Sequence, residues 1–268
     1  MTVLMSVWFS IACCVSTDDR QEGPEVGPKL AEREAIARIL ERHEKRGDSI
    51  KTLRCDVAYR EDDRINMREV LKEGGTLTLL ITEDNPKIFV HFKKCWVDKT
   101  GGKQEWHLFD GEWWHEAFER LRQVTSRQLV RPGERFDPFD IETAAFPLPF
   151  GQKKDKLLRN FDVTLATPAQ GDPEHTDHLI FTPKPDSRLA KKYDSIEFFI
   201  RRDNDLPARV VMTGRGGDNE IIADFSKVKI NGPFTGKEFD RPAAWKGYKE
   251  VKEYLRQPAD GVAPVSDR

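Results

Sequence analysis

The chain of 268 residues is 38% hydrophobic and 34% charged, and its formal net charge is −2. A chain of this length and apolar content can bury one sizeable core, which predicts one or two domains. Because the charge is nearly balanced and no block of like charge occurs, no nucleic-acid partner is expected. Any partner must therefore be recognised by a local group of residues or through apolar contact, and not through overall charge.

Residues 1–16 are apolar but too short to span a membrane as a stable helix. Their end, with Ser10 and Ala12, suits a signal peptidase and predicts an export signal and a periplasmic location. The first eight residues contain no Lys or Arg, so the positive region usual in such signals is missing. Cys13 follows Ala12 and leaves a lipid anchor open. The alternative is a short N terminus that is disordered or packs in the core.

The four cysteines lack the short paired spacings of a zinc site. Cys55 and Cys95 could form a disulfide in an oxidising compartment, but isolated cysteines of this kind are more typical of buried thiols. No cofactor is expected.

A linker is predicted at 17–27, which is acidic and contains Gly and Pro. An amphipathic helix follows at 29–46, where Pro28 suits the start and Gly47 suits the end. Its apolar face repeats at helical spacing and consists of Leu30, Ile36, Ile39, Leu40 and His43.

From Ile50 onward the hydrophobic period changes from near four to two, which predicts successive antiparallel strands. Turns are predicted at Asn85-Pro86, at Asp110-Gly111, at 203–205 and at 214–219. The Gly-rich run in the last of these could bind phosphate, but no helix pattern follows it, which favours a hairpin tip. Nine to eleven strands are predicted, and a sheet of that size should curl.

The strands alternate so that the concave side of the sheet should be apolar and the convex side largely wet. Two segments could cover the concave side: the helix at 29–46, and the Phe-rich segment 136–150 followed by a short helical run at 152–160. This second segment is predicted to act as a lid, with Phe146, Leu148 and Phe150 filling the interior.

Several motifs occur in order between Leu30 and Pro242. After the helix come SIKTLRCDVAYR, GGTLTLLITEDNPKIFVHF, FDGEWWHE with Gln123 downstream, a Phe-Pro-Leu segment, HLIFTPK and KEFDRPA. Each is weak alone, but their order resembles the LolA family, the periplasmic carriers of outer-membrane lipoproteins.

The resemblance implies a mainly β fold, a half-open curled antiparallel barrel covered by lid helices, in a single domain at 28–245 with a polar tail at 246–268. It also implies a monomeric carrier that binds lipoprotein acyl chains or another lipid and exchanges them with inner- and outer-membrane transfer proteins. Within the tail, 246–256 is predicted to be helical. The predicted lining of the apolar cavity is Leu79, Ile88, Val90, Phe92, Ile196, Phe198, Ile200, Val210 and Met212.

The sequence departs from the family at Asn85, in the loop at 167–176 and in the polar tail after Trp245. The family has an Arg before the Pro of its second strand, which contacts the lid, and this position resembles Asn85 here. The resemblance therefore does not predict a contact between a charged side chain at this position and the lid. The loop at 167–176 is also longer.

Two other function classes stay open. His175 and His178 lie near Asp172 and Asp177, and His107 and His115 flank the Asp110-Gly111 turn, so a metal-dependent hydrolase can be imagined. No helix holds two histidines at the four-residue spacing of zinc hydrolases, and no Gly-x-Ser-x-Gly motif occurs, so a non-enzyme is expected. The second alternative is an envelope sensor of lipid or protein that uses the same cavity.

Overall fold

The structure, a computed structural model, describes residues 28–141 and 148–255. The predicted export signal with Cys13, the predicted linker, Phe146 of the predicted lid and the end of the tail lie outside these residues. Within the described residues, no helix is both long enough and apolar enough to cross a membrane.

In the described ranges, two α-helices accompany one large sheet. They are α1 (Pro28–Asp48) and α2 (Lys154–Asn160). The strands are β1 (Thr52–Asp63), β2 (Arg68–Leu80), β3 (Lys87–Val97), β4 (Thr100–Phe109), β5 (Trp113–Phe118), β6 (Gln123–Gln128), β7 (Phe161–Ala166), β8 (Thr176–Pro183), β9 (Tyr193–Arg201), β10 (Pro207–Gly214), β11 (Asn219–Ile230) and β12 (Lys249–Glu253).

The strands are hydrogen-bonded in the order β12-β6-β5-β4-β3-β2-β1-β11-β10-β9-β8-β7. Every neighbouring pair is antiparallel except β12 with β6, which is parallel. Strands β12 and β7 end the order without pairing to each other, so the described sheet curls without closing. This confirms the prediction of a mainly β, half-open antiparallel sheet covered by helices.

Local turn chemistry sets the hairpins as predicted. Asp110 accepts hydrogen bonds at Oδ1 from the backbone N–H of Glu112 (3.1 Å) and Trp113 (2.8 Å), which fixes the turn between β4 and β5. The Gly-rich run at 214–217 connects β10 to β11, which confirms a hairpin tip.

Helix α1 lies on the concave side of the sheet. Its residues Ile36 and Leu40 are 5% and 0% exposed in the main core, and His43 is fully buried with Nδ1 2.9 Å from the carbonyl oxygen of Asp205. Burial lowers the pKa of His43, so this imidazole is neutral at pH 7.

A Cβ on Gly47 would lie 2.3 Å from the Cα of Gly151, so the end of α1 touches the segment before α2, backbone to backbone.

The prediction of a largely wet convex side holds over β1, where Arg54, Ala58 and Arg60 are exposed, but is wrong over β4 to β6. A second core lies there over β4 to β6, made of Trp106, Leu108, Ala117, Val124, Phe239 and Trp245. The last two belong to the segment after β11, which crosses the sheet and continues into β12. This part of the convex face is therefore buried under the chain's own C-terminal part.

The segment predicted as a helix at 246–256 contains strand β12 instead. It pairs in parallel with β6, and the backbone N–H of Lys249 donates to the carbonyl of Arg122 (2.8 Å). The sequence KEVKE has no apolar face at helical spacing, and the free edge of β6 offers its backbone hydrogen bonds. A charged, five-residue edge strand also discourages further pairing.

Cys55 and Cys95 are free thiols, which confirms that prediction. Burial raises the pKa of each thiol to about 12, so both stay protonated and unreactive at neutral pH.

We expect Trp245→Ala to lower the free energy of unfolding by about 3 kcal/mol, because it removes a large side chain that seals the convex core. Urea unfolding would measure this. Leu121→Ala, at a side chain 54% exposed, is the control and should change stability by less than about 0.5 kcal/mol. Equal effects of the two substitutions would contradict a structural role for the C-terminal segment.

Candidate functional site

An apolar cavity of about 360 Å³ lies between the concave face of the sheet and the segments that cover it. All its lining side chains are apolar except Gln152, Lys192 and two tyrosines. The lining consists of Val57, Tyr59, Leu77, Val90, Phe92, Ile141, Leu148, Pro149, Gln152, Leu189, Lys192, Tyr193, Ile196, Phe198, Val210, Met212, Ile221, Ala223 and Phe225.

Strand register explains why these side chains meet. Tyr59 pairs with Ala223, Ala223 with Val210, and Val210 with Phe198, so one row crosses four strands on the same face. The next row runs through Ile221, Met212 and Ile196. Because side chains alternate along a strand, every second residue of these strands lies on the concave face, and these rows supply the cavity lining.

Six of the nine predicted lining residues line this cavity: Val90, Phe92, Ile196, Phe198, Val210 and Met212. The other three, Leu79, Ile88 and Ile200, are at most 1% exposed and belong to the filled part of the core. Alternation identifies the face of a strand but not the position along it at which the cover leaves space.

Sequence reasoning missed the contributions of β1 and β11 to the lining. Val57, Tyr59, Ile221, Ala223 and Phe225 all lie in strands with alternating patterns, which is a signal equal to that of the predicted strands. Alternation alone does not show which strands border the cavity. The sheet order, which places β11 between β1 and β10, is needed to assign these residues to the lining.

The predicted lid covers the cavity. Leu148 and Pro149 line it, and the ring of Phe150 lies fully buried with its centroid 5.0 Å from that of Phe225. Ion pairs tie the segment to α1: Lys153 pairs with Asp48 and lies 3.5 Å from Glu44. These pairs are partly exposed, so they hold the lid more weakly than its apolar contacts do.

Asn85 contacts the chain that leads from β6 to the lid. Its Nδ2 donates to the carbonyl of Glu134 (3.0 Å), and its Oδ1 accepts from the backbone N–H of Phe136 (2.7 Å). The position that resembles the family's Arg thus holds this segment through two backbone hydrogen bonds rather than through a charged side chain.

The apolar lining ends abruptly between β3 and β4. Val90 pairs with His107, and Phe92 pairs with Glu105, so residues opposite each other on the concave face differ completely in polarity. Lys72 of β2 lies on the apolar side of this boundary, 5.1 Å from the ring of Tyr59 and 5.3 Å from that of Phe92. The expected apolar concave face therefore covers only part of the sheet.

A compact ionic cluster forms this polar flank. Lys72 Nζ and His107 Nε2 both contact Glu105 Oε1, the latter at 2.6 Å. Burial alone would raise the pKa of Glu105, but the hydrogen bonds from His107 and Lys72 outweigh it and lower that pKa to about 2. Since its partners already satisfy Glu105, the cluster is built to stabilise the fold beside the cavity.

Asp110, His115 and Ser126 are connected as in a catalytic triad. Ser126 Oγ lies 2.7 Å from His115 Nδ1, and Asp110 Oδ2 lies 3.0 Å from His115 Nε2. Ser126 is 0% exposed and the ring of Trp245 lies 6.3 Å from that of His115, so no substrate could reach the hydroxyl. This arrangement is a buried structural network.

The side chains around His178, in strand β8, form a polar cluster. His178 Nε2 lies 2.7 Å from Glu197, Nδ1 lies 3.6 Å from Asp172, and the ring stacks on Phe199 at 4.0 Å. Asp177 instead pairs with Arg42 and Arg202. Among residues 28–141 and 148–255, no group of three or more His, Cys, Asp or Glu side chains is arranged so that it could hold a metal ion.

Neither a protein-family model nor a curated protein sequence matches this chain. Among solved structures, an uncharacterised conserved protein from Thermus thermophilus is 14% identical, with a TM-score of 0.47 over 82% of this chain and 99% of the other. The lipoprotein LppX of Mycobacterium tuberculosis is 11% identical, with a TM-score of 0.41 over 75% and 98%.

The chain is also similar to the MucA/MucB complex structure from Pseudomonas aeruginosa, at 12% identity and a TM-score of 0.41 over 78% of this chain and 62% of the other. All three TM-scores lie below 0.5, and such likenesses carry no functional inference. The half-open curled sheet is established by this chain's own strand order.

We expect Glu105→Gln to destabilise the protein by about 3 kcal/mol at pH 7, because the native pKa is about 2 and the ordinary value is 4.5. A carboxyl group whose pKa is lower in the folded than in the unfolded protein contributes its full stabilisation at pH values above the unfolded pKa. This contribution is lost as the pH falls through the folded pKa. The difference between wild type and variant should therefore be constant above pH 4.5 and shrink as the pH falls toward 2.

Urea unfolding across this pH range would measure the difference. Glu253→Gln, at a side chain 52% exposed, is the control and should show little pH-dependent change. A difference that grows on acidification would show that the sign of the Glu105 shift is wrong.

Proposed function

We propose that this protein binds the acyl chain of a lipid or lipoprotein in its cavity and that the lid segment yields to admit it. The single observation that carries this proposal is an apolar cavity that the side chains of residues 28–141 and 148–255 leave unfilled. Protein interiors are normally close-packed, and an unfilled apolar space of this size is typical of a binding site.

The cavity volume indicates how much of a ligand it could hold. About 360 Å³ lies near the lower end of small-molecule sites. A methylene group is similar in size to a water molecule, of about 30 Å³, so the space suits one chain of roughly a dozen carbons. A ligand with two or three acyl chains would need the lid to move further.

Lid displacement would tune the affinity. Burying a dozen methylenes at about 0.8 kcal/mol each would give an upper limit near 10 kcal/mol, which would make release slow. If an incoming chain first displaces Leu148 and Phe150, their lost burial subtracts about 3 to 6 kcal/mol from this figure. Reversible binding without nucleotide hydrolysis would follow.

This binding activity suits a periplasmic carrier of lipoproteins or other lipids that meets transfer proteins at the inner and outer membranes. Residues 1–16 support export, and the inert thiols Cys55 and Cys95 would survive in an oxidising compartment. A sensor that retains one ligand would use the same cavity. Transfer of bound lipid from donor to acceptor vesicles would distinguish a carrier from a sensor.

The experiment that tests binding is native mass spectrometry of the exported protein, followed by titration with a fluorescent fatty-acyl probe. We expect either a bound lipid or saturable uptake of the probe. If purified protein neither contains lipid nor takes up the probe, the proposal fails.

A cavity-filling substitution should separate binding from folding. Ala223 is a partly exposed lining residue, and Ala223→Phe should place a ring where the acyl chain would lie. Excluding two or three methylenes costs about 2 kcal/mol, so the probe affinity should fall roughly tenfold or more. The matched control is Ala58→Phe on β1, where the side chain is exposed and absent from the lining. Equal probe affinities for the two variants would place the probe elsewhere.

A further inference from the structure

The short segment between β8 and β9 borders the cavity and is strongly basic. Residues 184–192 contain four cationic side chains and one carboxylate, Asp186. A 3-10 turn at Arg188–Lys191 presents this segment, with Leu189 buried toward the cavity. Charge therefore accumulates at the point where apolar lining meets solvent.

One cation of this segment belongs to the cavity itself. Lys192 lines the cavity, yet its side chain is exposed, which places it at the mouth. Its backbone is fixed on both sides, since its N–H donates to the carbonyl of Leu189 (2.9 Å) and its carbonyl accepts from the N–H of Arg215 (3.1 Å). No carboxylate in residues 28–141 or 148–255 lies within ion-pairing distance of its ammonium group.

The other lysine near the lining is different. Lys72 contacts Tyr59 and Phe92, but Glu105 already neutralises it. An anion would have to compete with that ion pair, whereas Lys192 has no described competitor. Of the two lysines, Lys192 is therefore the better anion ligand.

Tyr193 adds a hydrogen-bond donor beside Lys192. Its side chain lines the cavity, and its hydroxyl has no hydrogen-bond partner in the described part of the chain. Burial raises the pKa of Tyr193, so the phenol keeps its proton and can donate. Both residues line the same cavity, and an ammonium group and a phenol are suitable ligands for a carboxylate or phosphate oxygen.

We propose that the ligand is a single-chain anionic amphiphile, with its chain in the cavity and its anionic head group on Lys192 and Tyr193. This inference rests on the proposed acyl-chain binding and adds the charge of the ligand. Carboxylate and phosphate head groups share the required chemistry. The chain would enter past the basic segment, and the head group would stay at the solvent boundary, where its desolvation cost is small.

The test compares two probes that differ only in the head group. Dodecanoate and dodecanol are each titrated against a bound fluorescent acyl probe, with wild-type protein, Lys192→Gln, Tyr193→Phe and the control Lys191→Gln. Lys191 is an adjacent exposed lysine that does not line the cavity. Circular dichroism confirms that each variant is folded, and dodecyl phosphate replaces dodecanoate in a third series to distinguish the two head groups.

Lys192→Gln should weaken the binding of dodecanoate by roughly three- to tenfold, as expected for a partly exposed charged contact. The same substitution should leave dodecanol unchanged, and Lys191→Gln should change neither. The preference for dodecanoate should also shrink as salt is raised from low to high concentration.

The outcomes separate the two proposals. If neither probe binds wild-type protein, acyl-chain binding itself fails. If both probes bind but Lys192→Gln weakens neither, or weakens both equally, the anionic head-group site is overturned while acyl-chain binding stands. If Lys191→Gln has the same effect as Lys192→Gln, the attraction is a general field of the basic segment and the assigned site is wrong.

Discussion

The structure depends on one constraint: an open, strongly curved sheet has an apolar inner face that must be covered by elements too small to fill it. Helix α1 and the segment before α2 bury one part of this face completely, as the 0% exposure of Leu40, Leu53 and Leu79 shows. They leave a cavity over the rest. A closed barrel of fewer strands could have filled its interior with side chains, whereas this sheet, which stays open, does not.

The segment that covers the cavity is held by the same apolar face of the sheet that lines the cavity. The close contact between Gly47 and Gly151 fixes where the lid meets α1, while the ion pairs of Lys153 hold it only at the surface. Most of the free energy that keeps the lid down comes from apolar burial of Leu148 and Phe150.

The polar flank and the convex core confine the cavity to one region of the sheet. Between β3 and β4 the inner face changes from Val90 and Phe92 to His107 and Glu105, and these two polar residues belong to a largely buried ionic cluster. On the outer face the segment that carries Phe239 and Trp245 clamps β4 to β6. Strands β4 to β6 are thus covered on the outer face by this segment, and the cavity lies over β1 to β3 and β9 to β11.

The sequence by itself determined the secondary structure of most of the chain and the apolar face of each strand, because alternation and turn residues act over a few neighbours. Asp110-Gly111 and the run at 214–217 specified their hairpins, and helix α1 began at the predicted proline. Strand β12 escaped prediction, since its short charged sequence becomes a strand only when the edge of β6 is available.

Only the tertiary structure decided where along those faces the interior is filled. Leu79 and Val90 follow the same alternation, yet one is sealed in the core and the other lines the cavity, because the covering segments pack onto the first and leave space over the second. The convex core likewise arises from contacts between β4 to β6 and residues far later in the chain, Phe239 and Trp245. Such long-range packing depends on sheet order and curvature, which local patterns do not encode.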